Sequence, residues 1–269
     1  MTKTPKLSII TVNLNNATGL RKTLDSVATQ TFTDYEHLII DGGSTDESVE
    51  VIKEYEKQYN GIENGLYWVS EPDKGIYNAM NKGIKVAKGE YCLFLNSGDW
   101  LIEDSLKDLF KHNFNEDIIY TNCYFLKDKI NNYIPEIFPN PSELSFDFFL
   151  HDMICHQAIL FKRFFFDNFG WYDESYKIAS DIKIVTTAIV HGNATLKKLD
   201  TFLCMYNHDG LSASNRSLYE QEKKQIFSQE FQFFYKDYVV FDKMRYELKA
   251  IRNHFLIKTL KKIRTIFQK

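Results

Sequence analysis

Tyr91-Cys-Leu-Phe-Leu-Asn-Ser-Gly-Asp99 is an apolar run that stops abruptly in polar residues and a glycine. Tyr91 to Leu95 has the length and composition of a buried strand. Asn96, Ser97, Gly98 and Asp99 then fall at its C-terminal tip, which in an α/β sheet is where ligand groups gather. A carboxylate there, beside a glycine that lets backbone come close, can hold a divalent cation against a diphosphate. A polar turn closing a core strand would carry the same letters. What surrounds Asp99 has to decide between the two.

Upstream, strand and helix signals alternate. Leu7 to Val12 is a β-branched apolar run, and Leu20, Leu24 and Val27 recur at helical spacing within Gly19 to Gln30. His37 to Ile40 is the next strand and ends in Asp41-Gly-Gly-Ser44. Ser44 and Glu47 have capping-box spacing, which predicts a helix burying Val49, Ile52 and Tyr55. Leu66 to Val69 is a third strand. Ile76, Met80 and Ile84 line a third helix, which Gly89 is expected to stop. Strands separated by helices imply right-handed crossovers and a mostly parallel sheet.

Downstream the pattern loosens. A short helix is expected over Ser105 to Phe110, and strands over Asp117 to Tyr124, His156 to Lys162 and Ala194 to Tyr206. A further helix spans Asp181 to His191. Tyr133 to Pro141 holds three of the five prolines and reads as an ordered loop. From about Ser214 the chain turns helical. Met244, Leu248, Ile251, Phe255, Leu256, Leu260, Ile263 and Phe267 form an apolar stripe, and Lys243 to Lys269 carries nine Lys or Arg against one acid, Glu247.

The bulk properties narrow the function classes. At 269 residues the chain can bury a substantial core. A net charge of -3 argues against nucleic acid as a partner. The opening Met1-Thr-Lys-Thr-Pro-Lys-Leu7 runs into a strand without an apolar leader core, and no apolar stretch approaches the roughly 20 residues of a membrane-spanning helix. Cys92, Cys123, Cys155 and Cys204 are far apart in sequence and lack paired metal spacing. They read as reduced thiols of a cytoplasmic protein, and structural zinc is not expected.

Four strand ends of the first half finish in polar groups: Thr11-Val-Asn13-Leu-Asn15, Asp41, Glu71-Pro-Asp73-Lys74 and Asn96-Ser-Gly-Asp99. In a parallel sheet they share one edge and could line one cleft. The Asn side chains and Asp41 suit a base and ribose, and Asp99 suits a metal. Lys74 reads equally as a phosphate contact or a solvated loop residue. Neither a Gly-x-Gly-x-x-Gly turn nor a P-loop occurs, which argues against a dinucleotide dehydrogenase or an NTPase.

The ordered set Leu7-Ser-Ile-Ile-Thr-Val-Asn-Leu-Asn15, Ile40-Asp-Gly-Gly-Ser-Thr-Asp46, Glu71-Pro-Asp-Lys-Gly75 and Phe94-Leu-Asn-Ser-Gly-Asp99 resembles family 2 glycosyltransferases. The match is close over residues 5 to 110 and looser to about 213. The resemblance implies an α/β GT-A fold, meaning a Rossmann-like, mostly parallel sheet flanked by helices. Residues 1–213 would form the catalytic domain, with a donor half at 1–110 and an acceptor half at 111–213. Residues 214–269 would be a helical C-terminal appendage. It also implies an inverting transferase, a UDP- or GDP-sugar donor, and Mg2+ or Mn2+ as cofactor.

Carried over by position, Thr11, Asn13, Asn15, Asp41, Asp73, Lys74, Asn96 and Asp99 would form the donor site, with Asp99 on the metal. Two departures stand out. Gly42 takes the place of the second of two adjacent acids, and Asn96 and Gly98 stand where acids are usual. Asp99 is thus the only carboxylate of its turn, which points to a weakly held Mg2+ that keeps several waters. The resemblance places the general base at Asp181, in Ile178-Ala-Ser-Asp181, with Ser180 in place of a Glu. As a residue at a helix start, Asp181 also has a purely structural reading. His156 and Gln157 resemble an acceptor-facing pair, although a core histidine reads the same way. Asn207-His-Asp-Gly-Leu-Ser212 resembles a donor-site loop, in which His208 would reach the metal or the diphosphate or lie on the surface.

The implied activity is transfer of a sugar, with inversion, to a glycan or lipid-linked acceptor in cell-surface polysaccharide synthesis. The alternative is a non-catalytic sugar-nucleotide or glycan-binding protein that keeps the fold. The basic tail either lies on an anionic membrane, giving a cytoplasmic protein peripheral to the inner face of the cell membrane, or packs on protein.

Overall fold

Strand β1 (Leu7–Asn13) is buried along its whole length, because both faces of the sheet at this point are covered by helices. The computed structural model describes residues 4–58, 65–129, 132–138, 140–207 and 215–253. The first half runs β1, α1 (Ala17–Ala28), β2 (Tyr35–Asp41), α2 (Ser48–Gln58), β3 (Leu66–Ser70), α3 (Ile76–Val86) and β4 (Tyr91–Phe94). Leu7 and Ile9 join Leu20, Leu24 and Val27 of α1 and Ile52 and Tyr55 of α2 in one core. Helix α3 packs over the opposite face, where Gly83 lies against Ile10 and Ile40.

The remainder of the unit is β5 (Trp100–Leu101), α4 (Ser105–Leu109), β6 (Ile118–Lys129), β7 (Asn132–Ile137), α5 (Phe146–His151), β8 (Ile159–Lys162), α6 (Phe165–Phe169), α7 (Ser180–Val190), β9 (Leu196–Tyr206) and the start of α8 (Arg216–Glu230). The sheet order is β3-β2-β1-β4-β8-β6-β9-β5, with β7 beside β6. Pairing is parallel from β3 through β4, as the crossovers predict. It turns antiparallel where β8 joins β4 and β6, and is parallel again between β6 and β9. Register brings Asn13 level with Asp41, and Asp41 level with Ser70. Three strand tips therefore end in line.

Several local expectations change. Helix α2 starts at Ser48, because the hydroxyl of Ser44 is engaged by the Asp41 carboxylate rather than by a helix end. Val51, not Val49, joins its buried face. The segment expected as a proline-rich loop contains β7, which pairs only with β6, and such an edge strand tolerates Pro135. His156 to Ala158 is a 3-10 turn that precedes β8. Gly89 does not end a helix, since α3 already stops at Val86.

Gly89 instead allows close approach of two segments. A Cβ there would lie 2.5 Å from the Ser8 backbone nitrogen. Its N–H donates to Ser8 Oγ at 2.8 Å, and the Ser8 hydroxyl donates to buried Glu36 at 2.6 Å. Lys88 N donates to the same carboxylate at 2.6 Å.

The chain divides into two compact units, Met1–Glu222 and Lys223–Lys269. In the second, α8 is followed by α9 (Gln232–Asn253), none of whose residues is buried. No helix among the described residues is long and apolar enough to cross a membrane. The stripe from Phe255 to Phe267 lies outside the described residues.

Gly89→Ala should lower stability by about 1–3 kcal/mol, since the added methyl meets backbone that cannot swing away. A lower urea midpoint at unchanged slope is the expected result.

Candidate active site

Asp41, fully buried at the tip of β2, is held entirely by neutral donors. Asn13 Nδ2 reaches Oδ1 at 2.7 Å and Ser44 Oγ reaches it at 2.6 Å. Ser70 Oγ and Ser44 N reach Oδ2 at 2.6 and 2.9 Å. Burial pushes the pKa of this carboxyl upward, but bonds from Ser44, Ser70 and Asn13 outweigh it and hold the group below its usual value. Asn13 Oδ1 is a buried acceptor left without a partner among the described residues. Asn15, exposed and at φ 50°, accepts from Thr45 N at 2.8 Å and donates its backbone N–H to Ser44 Oγ at 2.8 Å.

The tip of β4 turns sharply at Gly98, whose φ of 102° suits glycine. Thr23, buried in α1, clamps this turn: its hydroxyl donates to the Asp99 carbonyl at 2.7 Å and accepts from Gly98 N at 2.9 Å. Asn16 adds a bond from Nδ2 to the Ser97 carbonyl at 3.0 Å. Neither Thr23 nor Asn16 stood out in the sequence. Both lie on a helix turn, and their long-range bonds leave no local signature.

The Asp99 carboxylate itself is only 5% exposed. Gln157 Nε2 donates to Oδ2 at 2.9 Å and Asn207 N to Oδ1 at 2.8 Å. Burial dominates and pushes its pKa up to about 8, against those two bonds. No lysine or arginine side chain reaches it among the described residues. Among the described residues, a buried carboxylate with two donors, lone pairs to spare and, on the same turn, a buried Asn96 Oδ1 that has no partner fits a divalent cation.

Gln157, expected to face the acceptor, has its side-chain nitrogen on Asp99. Its side-chain oxygen meets one thiol and its backbone carbonyl another. The Cys155 thiol lies 3.5 Å from Oε1, and the Cys204 thiol donates to the Gln157 carbonyl at 3.2 Å. Cys123, Cys155 and Cys204, remote in sequence, place their sulfurs within 4.8 Å of one another behind this residue.

His156 turns the other way, with Nε2 2.7 Å from the Tyr172 hydroxyl. Burial lowers its pKa, although the charge of Asp181 works in the opposite sense. Tyr172 stacks on Tyr77 with ring centroids 5.5 Å apart, and the Tyr77 hydroxyl donates to Asp181 Oδ1 at 3.1 Å. Burial raises both phenol pKa values well above normal, so both stay protonated donors. A continuous chain of contacts thus runs from Asp99 through Gln157 and His156 to Tyr172, Tyr77 and the half-buried Asp181.

Other expected residues sit differently. Thr11 is fully buried inside β1, its hydroxyl 2.9 Å from His37 Nε2, and does not join the strand-tip group. Asp73 is paired with Lys82 at 2.6 Å, which also bridges Glu71 at 2.8 Å. Asp73 Oδ2 lies 3.0 Å from where a Cβ on Gly42 would stand. The space left by the missing second acid is thus approached by a carboxylate from the loop after β3. Lys74 is exposed, with its N–H on Asn78 Oδ1 at 3.2 Å. His208 lies outside the described residues.

Residues 8–170 match the profile described as glycosyl transferase family 2. The chain belongs to this family. A PGL/p-HBAD biosynthesis glycosyltransferase of Mycobacterium bovis is 32% identical over 181 residues, covering 66% of this chain and 67% of that one. An uncharacterized glycosyltransferase of Mycobacterium tuberculosis is 31% identical over 217 residues, 79% of each chain. Among solved structures, a Pyrobaculum calidifontis mannosyltransferase in complex with GDP-Man and Mn2+ aligns with a TM-score of 0.64 at 16% identity. It covers 86% of this chain and 65% of that one. S. aureus TarS 1-349 in complex with UDP-GlcNAc aligns with a TM-score of 0.61 at 21% identity, covering 84% and 71%. The fold of this family 2 glycosyltransferase is accordingly GT-A, with a helical C-terminal region.

The sign of the Asp41 shift makes a pH prediction. A carboxyl held below its unfolded value of 3.8 contributes stability that is present above that pH and lost as pH falls through the folded value. Asp41→Asn should cost about 1–3 kcal/mol at neutral pH. Its urea midpoint should also change less than wild type between about pH 5 and pH 3.

Proposed function

We propose that this glycosyltransferase moves a sugar from a UDP- or GDP-sugar to a glycan or lipid-linked acceptor, with inversion at the anomeric carbon, in cell-surface polysaccharide synthesis. The observation that carries this reading is the contact chain joining Asp99 to Asp181, with the level strand tips of β1, β2 and β3 beside it. The nucleotide-sugar complexes of the two structural neighbours support the donor class.

In this reading Asn13, Asn15 and Asp41 face the nucleoside. Asp41 stays ionised and fixes Asn13, whose Oδ1, without a partner among the described residues, can accept from a base N–H without rearranging. Asp73 and Lys74 stand near the ribose and diphosphate, and Asn96 and Asp99 near the metal. When bound, Mg2+ or Mn2+ offsets the charge that builds on the departing diphosphate. Asp181 takes the proton of the acceptor hydroxyl as that oxygen attacks from the face opposite the leaving group. Displacement from the opposite face inverts the centre. Tyr77 holds the Asp181 carboxylate in place by donating to one oxygen and leaving the other for the incoming hydroxyl.

For the acceptor, the exposed apolar residues of α9 bear on location. Phe233, Val240, Phe241, Met244, Leu248 and Ile251 are all exposed and share one broad face of the helix, beside Lys236 and Lys243. This is the composition of a helix that lies on an anionic lipid surface, and it supports a lipid-linked acceptor met at the inner face of the cell membrane.

Donor turnover with and without Mg2+ or Mn2+ tests the reading. Asp181→Asn should lower kcat by about 10²–10⁴-fold while UDP or GDP affinity changes little. Asp99→Ala should abolish stimulation by the metal. Wild-type turnover in Asp181→Asn would remove Asp181 as base. Nucleotide binding with no transfer or hydrolysis in the unaltered chain would favour the non-catalytic alternative.

A further inference from the structure

Glu222, on helix α8, reaches back to the segment that leads into Asp181. The Glu222 side chain is buried, at 7% exposure. Its Oε1 accepts from Lys177 N at 2.8 Å, and its Oε2 accepts from Ile178 N at 3.0 Å and Ala179 N at 3.1 Å. Three consecutive backbone N–H groups thus converge on one carboxylate. Such convergence allows few conformations of residues 177–179.

That segment is the entry to α7. Ala179 is the N-cap and has no side chain with which to cap its own helix; Glu222 accepts from its N–H and from the two N–H groups before it. A negative charge at a helix N-terminus is also favoured by the aligned peptide dipoles. A second tie lies just beyond it: Asp173 N donates to Ser180 Oγ at 2.6 Å, and Lys183 pairs with Asp173 at 2.8 Å. Asp181 follows directly, as the second residue of the helix. Its backbone position is therefore set by the Glu222 clamp and the Ser180 tie, and its carboxylate by Tyr77.

We propose that Glu222 is a positioning residue for Asp181, so that the catalytic site is completed by the first turns of helix α8. This rests on the reading of Asp181 as the base. A cap that contributed only to folding would have the same bonds but different consequences. It would weaken the whole unit without singling out turnover. A positioning residue should change kcat and leave donor binding alone, since misplacing a catalytic group by about 1 Å can cost about 10²-fold.

The test uses the full chain with Glu222→Ala, Glu222→Gln, Asp181→Asn and the Glu222→Ala/Asp181→Asn double variant. Amide hydrogen exchange is read over residues 177–183 and, as reference, over 96–99. Calorimetry with UDP and GDP measures nucleotide affinity, and turnover is followed with UDP-GlcNAc and GDP-mannose. Glu222→Ala should speed exchange at 177–183 alone, lower kcat about tenfold or more, and change KM for the donor and nucleotide affinity by less than about twofold. Glu222→Gln, which keeps one acceptor oxygen and the side-chain volume, should recover part of kcat and serves if the alanine variant does not fold. In the double variant, loss of Glu222 should add less than about twofold to the effect of Asp181→Asn.

Unchanged exchange at 177–183, a kcat within about twofold of wild type, or full multiplication of the two effects would each overturn the proposal. Full activity in Asp181→Asn would sink the base reading instead, and the exchange measurement would still report whether Glu222 holds the segment.

Discussion

Withdrawing a carboxylate from water is costly unless hydrogen-bond donors replace the lost hydration, and this molecule meets that constraint repeatedly with neutral donors. Asp41 is held by Asn13, Ser44 and Ser70, and Asp99 by Gln157 and the Asn207 amide. Glu36 is held by Ser8 and the Lys88 amide, and Glu222 by three successive amides. Every one of these bonds joins segments distant in sequence or clamps a turn. The acids therefore act as fasteners of the fold as well as candidate chemistry, and they locate the strand tips relative to one another.

The contrast between Asp41 and Asp99 shows how burial and hydrogen bonds together set the behaviour of a withdrawn acid. Both are withdrawn from solvent. Burial opposes ionisation at both; bonds outweigh it at Asp41, whereas at Asp99 burial outweighs the two bonds found among the described residues and pushes the pKa up to about 8. An under-satisfied carboxylate next to an orphaned Asn96 oxygen retains the capacity to bind a cation. A fully satisfied one is better suited to presenting a fixed negative edge. The same side-chain chemistry is thus divided between two tasks by its surroundings.

Much of the first half was legible because period and punctuation agree there. Apolar β-branched runs, helical spacing and polar strand ends point to one topology, and a parallel sheet then requires the tips to share an edge. The second half was less legible. Most of its pairings, β4 with β8, β6 with β8 and β6 with β9, cross long sequence gaps, and the prolines around β7 hide its short hairpin with β6. Thr11 lies in the core against His37, because one residue's place along β1 decides whether its side chain meets core or strand tip. Gln157 takes its direction from Asp99, 58 positions away in sequence, which nothing local marks.

By itself the amino-acid sequence determined the fold class, the order of the donor-side motifs and the identity of the acids at the strand ends, since these depend on local pattern and on a topology with few alternatives. Only the tertiary structure decided which of those acids are satisfied and which are left wanting. It also decided that Asp73 approaches the space beside Gly42, that Gln157 serves Asp99, and that Glu222 holds the segment before Asp181. The physical reason is common to all three. Hydrogen bonds between residues tens of positions apart depend on distance in space, which local sequence pattern does not encode.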